Sequence, residues 1–367
     1  MAPQDLQHPR PAAAARGDDG PRPVPTMMGP THALAALRGR DLLSETDLTV
    51  TEWLALVELA ATLKVERSEP SGRQRLAGRN LALLFAKAST RTRCAFEVAA
   101  HQEGAHVTYL DPECSHLGHR ESVADTARVL GRMYDGIAYR GFHHDVVELL
   151  ADAAEVPVWN ALTDRWHPTQ SLCDVLTLLE HADKPAGEIA VAYVGDARNN
   201  VASSLLVATA MTGMDIRMVA PEPRQTSPVV LATARAIAAT TGARVRQTSR
   251  VAEGVEGADF IYTDVWLSLG EPVERWRERI DLLTPYRVDA ALLGRTGNPE
   301  VKFLHCLPAL HNDRTELGRE LLARTGEPGV EVSDEVFSSA HSIVFDQAEN
   351  RLHAVKALLL ATLGGTT

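Results

Sequence analysis

The sequence predicts an α/β protein of two domains, each a parallel sheet flanked by helices, joined by long helices with the active-site cleft between. Its 367 residues exceed what one core of the commonest size holds. Short apolar segments of strand length alternate with segments of helical periodicity, which is typical of parallel sheets covered on both faces. One long predicted helix separates two such series, and ligands of open α/β sheets bind beyond the carboxyl ends of the strands.

The composition is that of a soluble globular protein, with 45% hydrophobic residues and no apolar run long enough to cross a bilayer. The formal net charge of −11 argues against nonspecific nucleic-acid binding, which needs a basic face. Any anion site must therefore be a local positive cluster. The cysteines lack paired zinc spacing and are expected to be reduced thiols; they are Cys94, Cys114, Cys173 and Cys306.

Residues 1–30 are predicted to be a disordered extension, because they are rich in Pro, Ala, Gly and Arg and lack an apolar periodic face. An Arg-bearing transit peptide is the alternative, and the early acidic residues Asp5, Asp18 and Asp19 weigh against it. We therefore expect a cytoplasmic protein.

The first alternating series follows a helix that starts at the capping-box pair Thr49 and Glu52. Its apolar runs have the length of buried strands. The predicted order is a strand at 81–85, a helix after Ser89, a strand at 105–110, a helix from 122 to about 134, a strand at 136–140, a helix at 144–154 and a strand at 156–159.

The long helix between the two series is predicted to run from His167 to about His181, with Pro168 in its first turn. A last helix is predicted over about 345–363. The strands of the second series are predicted at 189–194, 216–220, 243–246, 260–265 and 301–305, with helices between them.

The segment after the first strand has the features of an anion site. Ser89 is the predicted N-cap of the helix, and a helix N-terminus exposes unpaired backbone N–H groups and positive partial charge. The hydroxyl and guanidinium groups of residues 89–93 favour a dianion, most simply phosphate. The alternative is a capped helix with an exposed basic turn.

Other polar residues stand at the same expected edge of the first sheet. Arg140 closes a strand, although a lone arginine there would by default be a surface residue. His167 and Gln170 flank Pro168 and Thr169 at a helix N-terminus, where both side chains can project toward one small polar ligand.

The second series ends its strands in a different set of groups. Asp264 closes a strand with a carboxylate that suits an amine, and capping the following turn is an equally good interpretation. Ser268 suits a carboxylate ligand. Cys306 ends another strand, and Pro308 breaks that strand, which leaves the carbonyl groups near Leu307 available to N–H groups of a ligand. A buried cysteine is more often inert core.

Two cofactor classes are not expected. After Gly195 the chain lacks the G-x-G-x-x-G spacing of a dinucleotide site. The pair His116 and His119 is not accompanied by an acidic or cysteine cluster, so we predict no metal.

The motifs together resemble the ornithine carbamoyltransferases. Residues 89–93, 167–170, 264–270 and 305–308 occur in the order and spacing of that family, and residues 125–134 and 345–351 also look like it. The resemblance covers about residues 40–363. The first two motifs are shared in kind with aspartate carbamoyltransferases, whereas His-Cys-Leu-Pro and Asp-Val-Trp-x-Ser-x-Gly are features of the ornithine type.

The resemblance implies a carbamoyl-phosphate-binding domain at 31–165, joined by the C-terminal helix 345–363, and an ornithine-binding domain at 166–344. It implies transfer of the carbamoyl group of carbamoyl phosphate to L-ornithine by direct attack of the amine, giving L-citrulline and phosphate in arginine metabolism. It also implies no cofactor, and a homotrimer or higher assembly of trimers with a shared active site, because the loop with His116 reaches a neighbouring subunit.

The resemblance also implies roles for single residues, and Arg93 would support the anion turn. The expected catalytic residues are Arg140, His167, Asp264 and Cys306. Ornithine is expected at Asn200, Asp264, Ser268 and Leu269. Carbamoyl phosphate is expected at Ser89, Thr90, Arg91, Thr92, His116, Arg140, His167, Pro168, Thr169, Gln170, Cys306, Leu307 and Arg351.

Two departures from the family pattern stand out, since His116 replaces a common glutamine and Leu269 a usual methionine. The nearest alternative function is a carbamoyltransferase for another amine, such as putrescine or a modified ornithine. Asp264 and Ser268 favour an amino acid over a diamine. A noncatalytic relative that binds carbamoyl phosphate or a partner protein is the alternative from another class.

Overall fold

The computed structural model describes residues 30–66, 73–111, 121–266, 274–327 and 329–364. The predicted disordered extension, apart from Pro30, lies outside these residues, as do His116, Ser268 and Leu269. Within the described ranges, two parallel sheets carry helices on their faces. The predicted fold class is therefore confirmed.

The first sheet consists of β1 (Asn80–Phe85), β2 (His106–Leu110), β3 (Gly136–Arg140) and β4 (Val158–Leu162). The strand order is β2-β1-β3-β4, so the chain reverses its direction of travel between β1 and β3. Such a switch point opens a crevice at the carboxyl ends of the two strands. Phe85 pairs with Arg140 there, which places Arg140 beside the turn that follows β1.

The second sheet consists of β5 (Ala190–Val194), β6 (Asp215–Val219), β7 (Arg244–Thr248), β8 (Phe260–Thr263) and β9 (Lys302–His305). Its order is β7-β6-β5-β8-β9, and the switch point lies between β5 and β8. Buried residues fill β5 and β8 on both faces, as expected for central parallel strands. The segments with Asn200 and Asp264 leave the sheet at this switch point.

The helices of the described residues are α1 (Pro30–Ala35), α2 (Val50–Glu66), α3 (Thr90–Gln102), α4 (Val123–Gly131), α5 (His144–Ala154), α6 (Pro168–Glu180), α7 (Asn200–Met211), α8 (Pro228–Thr241), α9 (Val251–Val255), α10 (Glu274–Leu283), α11 (Ala290–Gly294), α12 (Glu316–Thr325), α13 (Asp334–Phe337) and α14 (Val344–Leu363). None of these described helices has the length and apolar content needed to cross a membrane.

The predicted helix starts are confirmed by their capping hydrogen bonds. The backbone N–H of Thr49 donates to Glu52 Oε2 at 2.8 Å, and that of Glu52 donates to Thr49 Oγ1 at 3.2 Å. The hydroxyl of Ser89 accepts from the N–H of Thr92 at 3.3 Å. These contacts satisfy backbone donors that the first turn leaves without helical partners.

The largest errors in the predicted boundaries concern one helix and one strand. The helix α4 ends before 134, because the chain must turn to enter β3 and the N–H of Asp135 already bonds to Asn80. The strand β4 begins after Pro157, which has no N–H for the ladder, and continues past Trp159. It continues because the buried amide of Asn160 donates to the carbonyl oxygen of Leu43 at 2.8 Å.

The two halves of the fold meet along α2, α6 and α14. The helix α14 packs on α2, α3 and α6 and is buried from Gln347 onward along almost its whole length. Trp53 Nε1 of α2 donates to Thr212 Oγ1 after α7 at 3.1 Å, and Trp159 Nε1 of β4 donates to Thr362 Oγ1 of α14 at 3.1 Å. These bonds fix the last helix against the first sheet and α2 against the second half of the chain.

A buried carboxyl group lies at this junction. Glu45 is fully buried, and Ser171 Oγ of α6 donates to its Oε1 at 2.6 Å. Burial raises the pKa of Glu45 to about 7, although the Ser171 and Ser204 hydroxyls favour the ionised form. Ionisation of Glu45 therefore opposes folding in the neutral pH range.

We expect Glu45→Gln to be more thermostable than the wild type at pH 8. A free glutamate titrates near ~4.3, so from there to about pH 7 the unfolded chain is ionised while the folded Glu45 is protonated. Native stability is lost across that window as the pH rises and then levels off, by an upper bound of about 4 kcal/mol. Thermal unfolding at pH 5 and pH 8 should show the advantage of the variant growing with pH.

Glu52→Gln is the matched control. Its burial acts to raise the pKa, but bonds from Thr49 and the charge of Arg40 outweigh burial and lower the pKa of Glu52. This substitution should lower the unfolding temperature at pH 8. An advantage of Glu45→Gln that does not change with pH would contradict the assignment.

Candidate active site

The anion turn lies at the carboxyl end of β1, between β1 and α3. Ser89 has an extended backbone, with φ −159° and ψ 117°, and its hydroxyl caps the helix. The side chain of Thr92 is buried, whereas Thr90 is exposed. Arg93 points elsewhere, because it donates to Glu97 at 2.8 Å and its guanidinium lies 3.8 Å from the ring centre of Tyr109. The predicted support of the turn by Arg93 is therefore wrong.

Two arginines from other elements reach the hydroxyl of Thr92. Arg351 Nη2, from α14, donates to Thr92 Oγ1 at 2.9 Å, and Arg140 Nη1, from the end of β3, lies 3.5 Å from the same oxygen. The Nε atoms of Arg140 and Arg351 are buried without a hydrogen-bond partner. The last helix thus contributes an arginine to a cluster that lies at the carboxyl ends of the first sheet.

The arginines of this cluster repel one another. Burial, followed by the charge of Arg351, lowers the pKa of Arg140 to about 10. Burial and Arg351 also lower the pKa of Arg91, against an opposing effect of Cys306. Within the described ranges, no carboxylate forms an ion pair with Arg91, Arg140 or Arg351. Such a cluster is complementary to a dianion.

His167 is the residue before α6 and is held from both sides of the junction. Its backbone N–H donates to Ser204 Oγ of α7 at 2.8 Å, and its Nε2 lies 3.5 Å from Arg351 Nη1. Burial first, and then the charges of Arg351 and Arg140, lower the pKa of His167 well below its usual value. The imidazole is therefore neutral at physiological pH.

Gln170 presents its carbonyl oxygen to the arginine cluster. Its Nε2 donates to Asp174 Oδ1 at 2.7 Å and to Cys173 Sγ at 3.2 Å, and its Oε1 accepts from Arg351. The reversed amide would set a carbonyl against the carboxylate and an NH₂ against the guanidinium, so the network fixes this orientation.

Cys306 and Asp264 meet at the ends of β9 and β8. The thiol donates to Asp264 Oδ1 at 3.0 Å, and the N–H of Val265 donates to the same oxygen at 2.8 Å. Burial and the charge of Asp264 raise the pKa of Cys306 well above its usual value. Asp264 therefore binds a neutral thiol and also caps the following turn.

Three potential metal-ligand atoms lie within 4.8 Å of one another, from Asp264, His305 and Cys306, a proximity that the sequence analysis missed. They already share hydrogen bonds: the thiol donates to Asp264, and His305 Nδ1 accepts from the N–H of Leu307 at 2.9 Å. His305 Nε2 lies 3.5 Å from Glu331 Oε1.

The remaining predicted residues divide by position. Pro168 and Thr169 are buried in the first turn of α6. Leu307 follows Cys306 with a positive φ of 59°, which few residues other than glycine adopt. Asn200 opens α7, and its Nδ2 donates to the carbonyl oxygen of Thr163. The placement of His116, Ser268 and Leu269 is outside the described ranges.

Sequence reasoning missed the residues that hold the site from behind, namely Asp174, Ser204, Tyr262, Glu331 and Gln347. Two of these residues could have been found from their positions in the sequence. Asp174 stands one helical turn after Gln170, and Gln347 lies inside the segment 345–351 that resembles the family.

Comparisons with known proteins give matches over most of the chain. The family model "Aspartate/ornithine carbamoyltransferase, carbamoyl-P binding domain" matches residues 40–180, and the model "Aspartate/ornithine carbamoyltransferase, Asp/Orn binding domain" matches residues 187–362.

Solved structures that resemble the chain include ornithine carbamoyltransferases from three organisms. The one from Pyrococcus furiosus is 39% identical, with 90% of this chain and 99% of that chain covered and a TM-score of 0.82. The one from Gloeobacter violaceus is 42% identical, with 89% and 100% covered and a TM-score of 0.74. The anabolic enzyme from Campylobacter jejuni is 34% identical, with 87% and 97% covered and a TM-score of 0.77.

We expect Cys306 to react slowly with iodoacetamide at pH 8, because only the thiolate is nucleophilic and Asp264 stabilises the protonated thiol. Asp264→Asn removes that charge and should accelerate alkylation of Cys306 by about tenfold or more, which is the effect of a one-unit fall in pKa. Mass spectrometry of the peptide with Cys306 gives the rate, and the exposed Cys94 is an internal reference.

Asp196→Asn is the matched control, since this carboxylate at the end of β5 binds Arg224 at 3.1 Å and does not touch the thiol. If Cys306 were alkylated at the same rate in Asp264→Asn and in the wild type, Asp264 would not stabilise the protonated thiol.

Proposed function

The chain belongs to the aspartate/ornithine carbamoyltransferase family, and we propose that it is an ornithine carbamoyltransferase that converts carbamoyl phosphate and L-ornithine to L-citrulline and phosphate. The observation that carries this proposal is that Arg140 and Arg351 meet at the hydroxyl of Thr92, near the charge of Arg91, without a neutralising carboxylate among the described residues. The similar solved structures are ornithine carbamoyltransferases, which supports the choice of ornithine.

The phosphate end of the donor belongs at the anion turn. Backbone N–H groups at the start of α3, with the side chains of Ser89, Thr90 and Thr92, donate to phosphate oxygens. Arg91 and Arg351 supply charge-assisted hydrogen bonds. A phosphate dianion there offsets the repulsion that lowers the pKa values of Arg91 and Arg140.

The carbamoyl end belongs between β3, α6 and β9. Arg140 and the neutral His167 face the carbonyl oxygen, whose negative charge grows when the amine attacks, so donors there stabilise the transition state. Gln170 presents an acceptor and, with the carbonyl oxygen of Leu307, takes the hydrogens of the carbamoyl NH₂. Pro168 and Thr169 shape the turn that sets these positions.

The acceptor belongs on the side of the second sheet. Asp264 binds the α-ammonium group of ornithine, Asn200, Ser268 and the backbone of Leu269 bind its head group, and the neutral Cys306 borders the site. The δ-amine attacks only after it loses a proton, since a free amine of this type titrates near ~10.4. The amine forms the new C–N bond, the C–O bond to phosphate breaks, and the departing phosphate takes up a proton.

The same proposal includes the domain boundaries, the cellular location and the assembly of the protein. The carbamoyl-phosphate-binding domain comprises 31–165 with the helix 345–363, and the ornithine-binding domain comprises 166–344. The protein acts in arginine metabolism in the cytoplasm without a cofactor. It assembles as a homotrimer, or as a larger assembly of trimers, in which His116 completes the site of a neighbouring subunit.

We expect the purified protein to form citrulline from carbamoyl phosphate and L-ornithine, with far lower turnover of putrescine or L-aspartate. Putrescine lacks the carboxylate and α-ammonium groups that Asp264 and Ser268 would bind. A colorimetric citrulline assay with phosphate release measures both products. Turnover of putrescine or aspartate without turnover of ornithine would refute the substrate assignment.

We also expect two substitutions to separate the two substrates. Arg91→Ala should raise the KM for carbamoyl phosphate by about 10- to 100-fold, the effect of losing one charge-assisted hydrogen bond of roughly 1.5–3 kcal/mol. Asp264→Asn should raise the KM for ornithine by a similar factor and change that for carbamoyl phosphate little. Unchanged saturation by ornithine in Asp264→Asn would show that the division of the cleft is wrong.

A further inference from the structure

One buried carboxylate lies behind both sides of the cleft. Asp174 is in α6, one turn after Gln170, and is fully buried. Its Oδ1 accepts from Gln170 Nε2 at 2.7 Å and from Gln347 Nε2 of α14 at 2.7 Å, and its Oδ2 accepts from Tyr262 Oη of β8 at 3.1 Å. The helices α6 and α14 and the strand β8 thus each direct a hydrogen-bond donor at this carboxylate.

The charge of Asp174 decides how both amides point. An ionised carboxylate only accepts hydrogen bonds, so each glutamine must turn its NH₂ toward it and its carbonyl oxygen away. Gln170 Oε1 then accepts from Arg351, and Gln347 Oε1 accepts from the backbone N–H of His305 at 2.9 Å.

We call the two connections through Gln170 and Gln347 the first and the second arm of Asp174. The second arm reaches the side of the cleft proposed to bind ornithine. His305 is the last residue of β9, and its Nδ1 accepts from the N–H of Leu307 at 2.9 Å. The bond from Gln347 therefore fixes the strand end that carries Cys306 and Leu307. The first arm fixes the amide of Gln170 on the donor side, whereas Arg351 is also held by Thr92 Oγ1 at 2.9 Å.

We propose that Asp174 is a positioning residue that sets the carbamoyl-binding amide of Gln170 and, through Gln347, the strand end with Cys306 and Leu307 in one geometry. The inference rests on the proposed function where the test measures kcat. It rests on the hydrogen bonds of Asp174 where the test measures stability. Asp174 touches no reacting atom in this assignment.

Burial opposes the ionisation of Asp174, and the groups that face it partly offset this effect. Burial raises the pKa of Asp174 to about 6, while the donors Gln170 and Gln347, the charge of Arg351 and the hydroxyl of Tyr262 favour ionisation. The other titratable neighbours are uncharged: Cys173 and His167 on α6, Tyr262 on β8 and Cys306 on β9. His305 on β9 accepts at Nδ1, and Asp264 beyond β8 binds the thiol of Cys306.

Protonation of Asp174 therefore disrupts the network. A site that already holds three N–H or O–H donors and the Cys173 thiol accommodates the added proton only on Oδ2, with the Tyr262 hydroxyl turned to accept it. Both amides then lose their charge-assisted bonds, which are roughly twice as strong as neutral ones. We expect kcat of the wild type to fall as the pH drops below about 6, with the KM for carbamoyl phosphate changing less, because the arginine cluster holds the phosphate independently.

The test compares Asp174→Asn with Tyr262→Phe. Asparagine gives both amides one neutral oxygen and turns its NH₂ toward Tyr262 Oη, so it mimics the protonated acid. Because two charge-assisted hydrogen bonds become neutral ones, kcat should fall by about tenfold, and the fall of kcat near pH 6 should disappear. Tyr262→Phe keeps both amide bonds to Asp174 and loses the bond of Gln347 Nε2 to Tyr262 Oη at 3.1 Å, so it should lose at most about threefold in kcat and keep the fall near pH 6. A kcat of Asp174→Asn within threefold of the wild type, or an unchanged pH profile, would overturn the proposal.

Two further measurements separate this proposal from the substrate assignment. Calorimetric titration with inorganic phosphate should give similar affinities for the wild type and Asp174→Asn, which shows that the anion turn is intact. Because folding raises the pKa of Asp174, the wild type should lose stability relative to Asp174→Asn from about pH 4 to pH 6 and level off above. That readout needs no turnover, so a wild type that makes no citrulline leaves it valid, and its absence would overturn the proposal.

A second variant covers the case in which Asp174→Asn does not fold. Gln347→Leu removes the whole second arm, with its bonds to Asp174, Tyr262 and the N–H of His305, and leaves Gln170 on Asp174. It should lower kcat and raise the KM for ornithine by about tenfold, with unchanged phosphate affinity. An unchanged KM and kcat would show that the arm positions nothing.

Discussion

Three guanidinium groups without a neutralising carboxylate among the described residues impose the main constraint on this fold. Arg91, Arg140 and Arg351 repel one another, and burial adds a desolvation cost for each charge. Burial first, and then this repulsion, lower the pKa values of Arg91, Arg140 and the nearby His167. Such a cluster persists only if the surrounding structure is rigid, and it makes an anionic ligand part of the stable state.

The rigidity comes from elements that are far apart in the chain. The parallel pairing of β1 with β3 brings Arg140 to the anion turn, and α14 returns from the end of the chain to bring Arg351. The helix α6 presents its first turn to both. Because the same α14 carries Gln347 to the second sheet, the arginine cluster and the strand end at Cys306 share one support.

The sequence predicted the elements and most groups of the candidate site for definite physical reasons. Buried parallel strands are continuous apolar runs, and the caps at Thr49 and Ser89 follow local rules, so these features need no knowledge of distant contacts. The strand β4 was misplaced because Asn160 is polar, and only the distant Leu43 explains its burial. Asp174, Gln347 and Ser204 were missed for the same reason, since a buried polar residue is informative only when its partner is known.

The charges of the site also bear on how the amine could react. On the proposed assignment, three guanidinium charges meet a phosphate dianion and the ionised Asp174 behind Gln170, so these charges balance around the carbamoyl group. The neighbouring His167 is neutral, and Cys306 is a protonated thiol. An ammonium group that enters a site of balanced charge and neutral side chains loses hydration, which lowers its pKa. The proposed site would thus favour the nucleophilic form of the δ-amine.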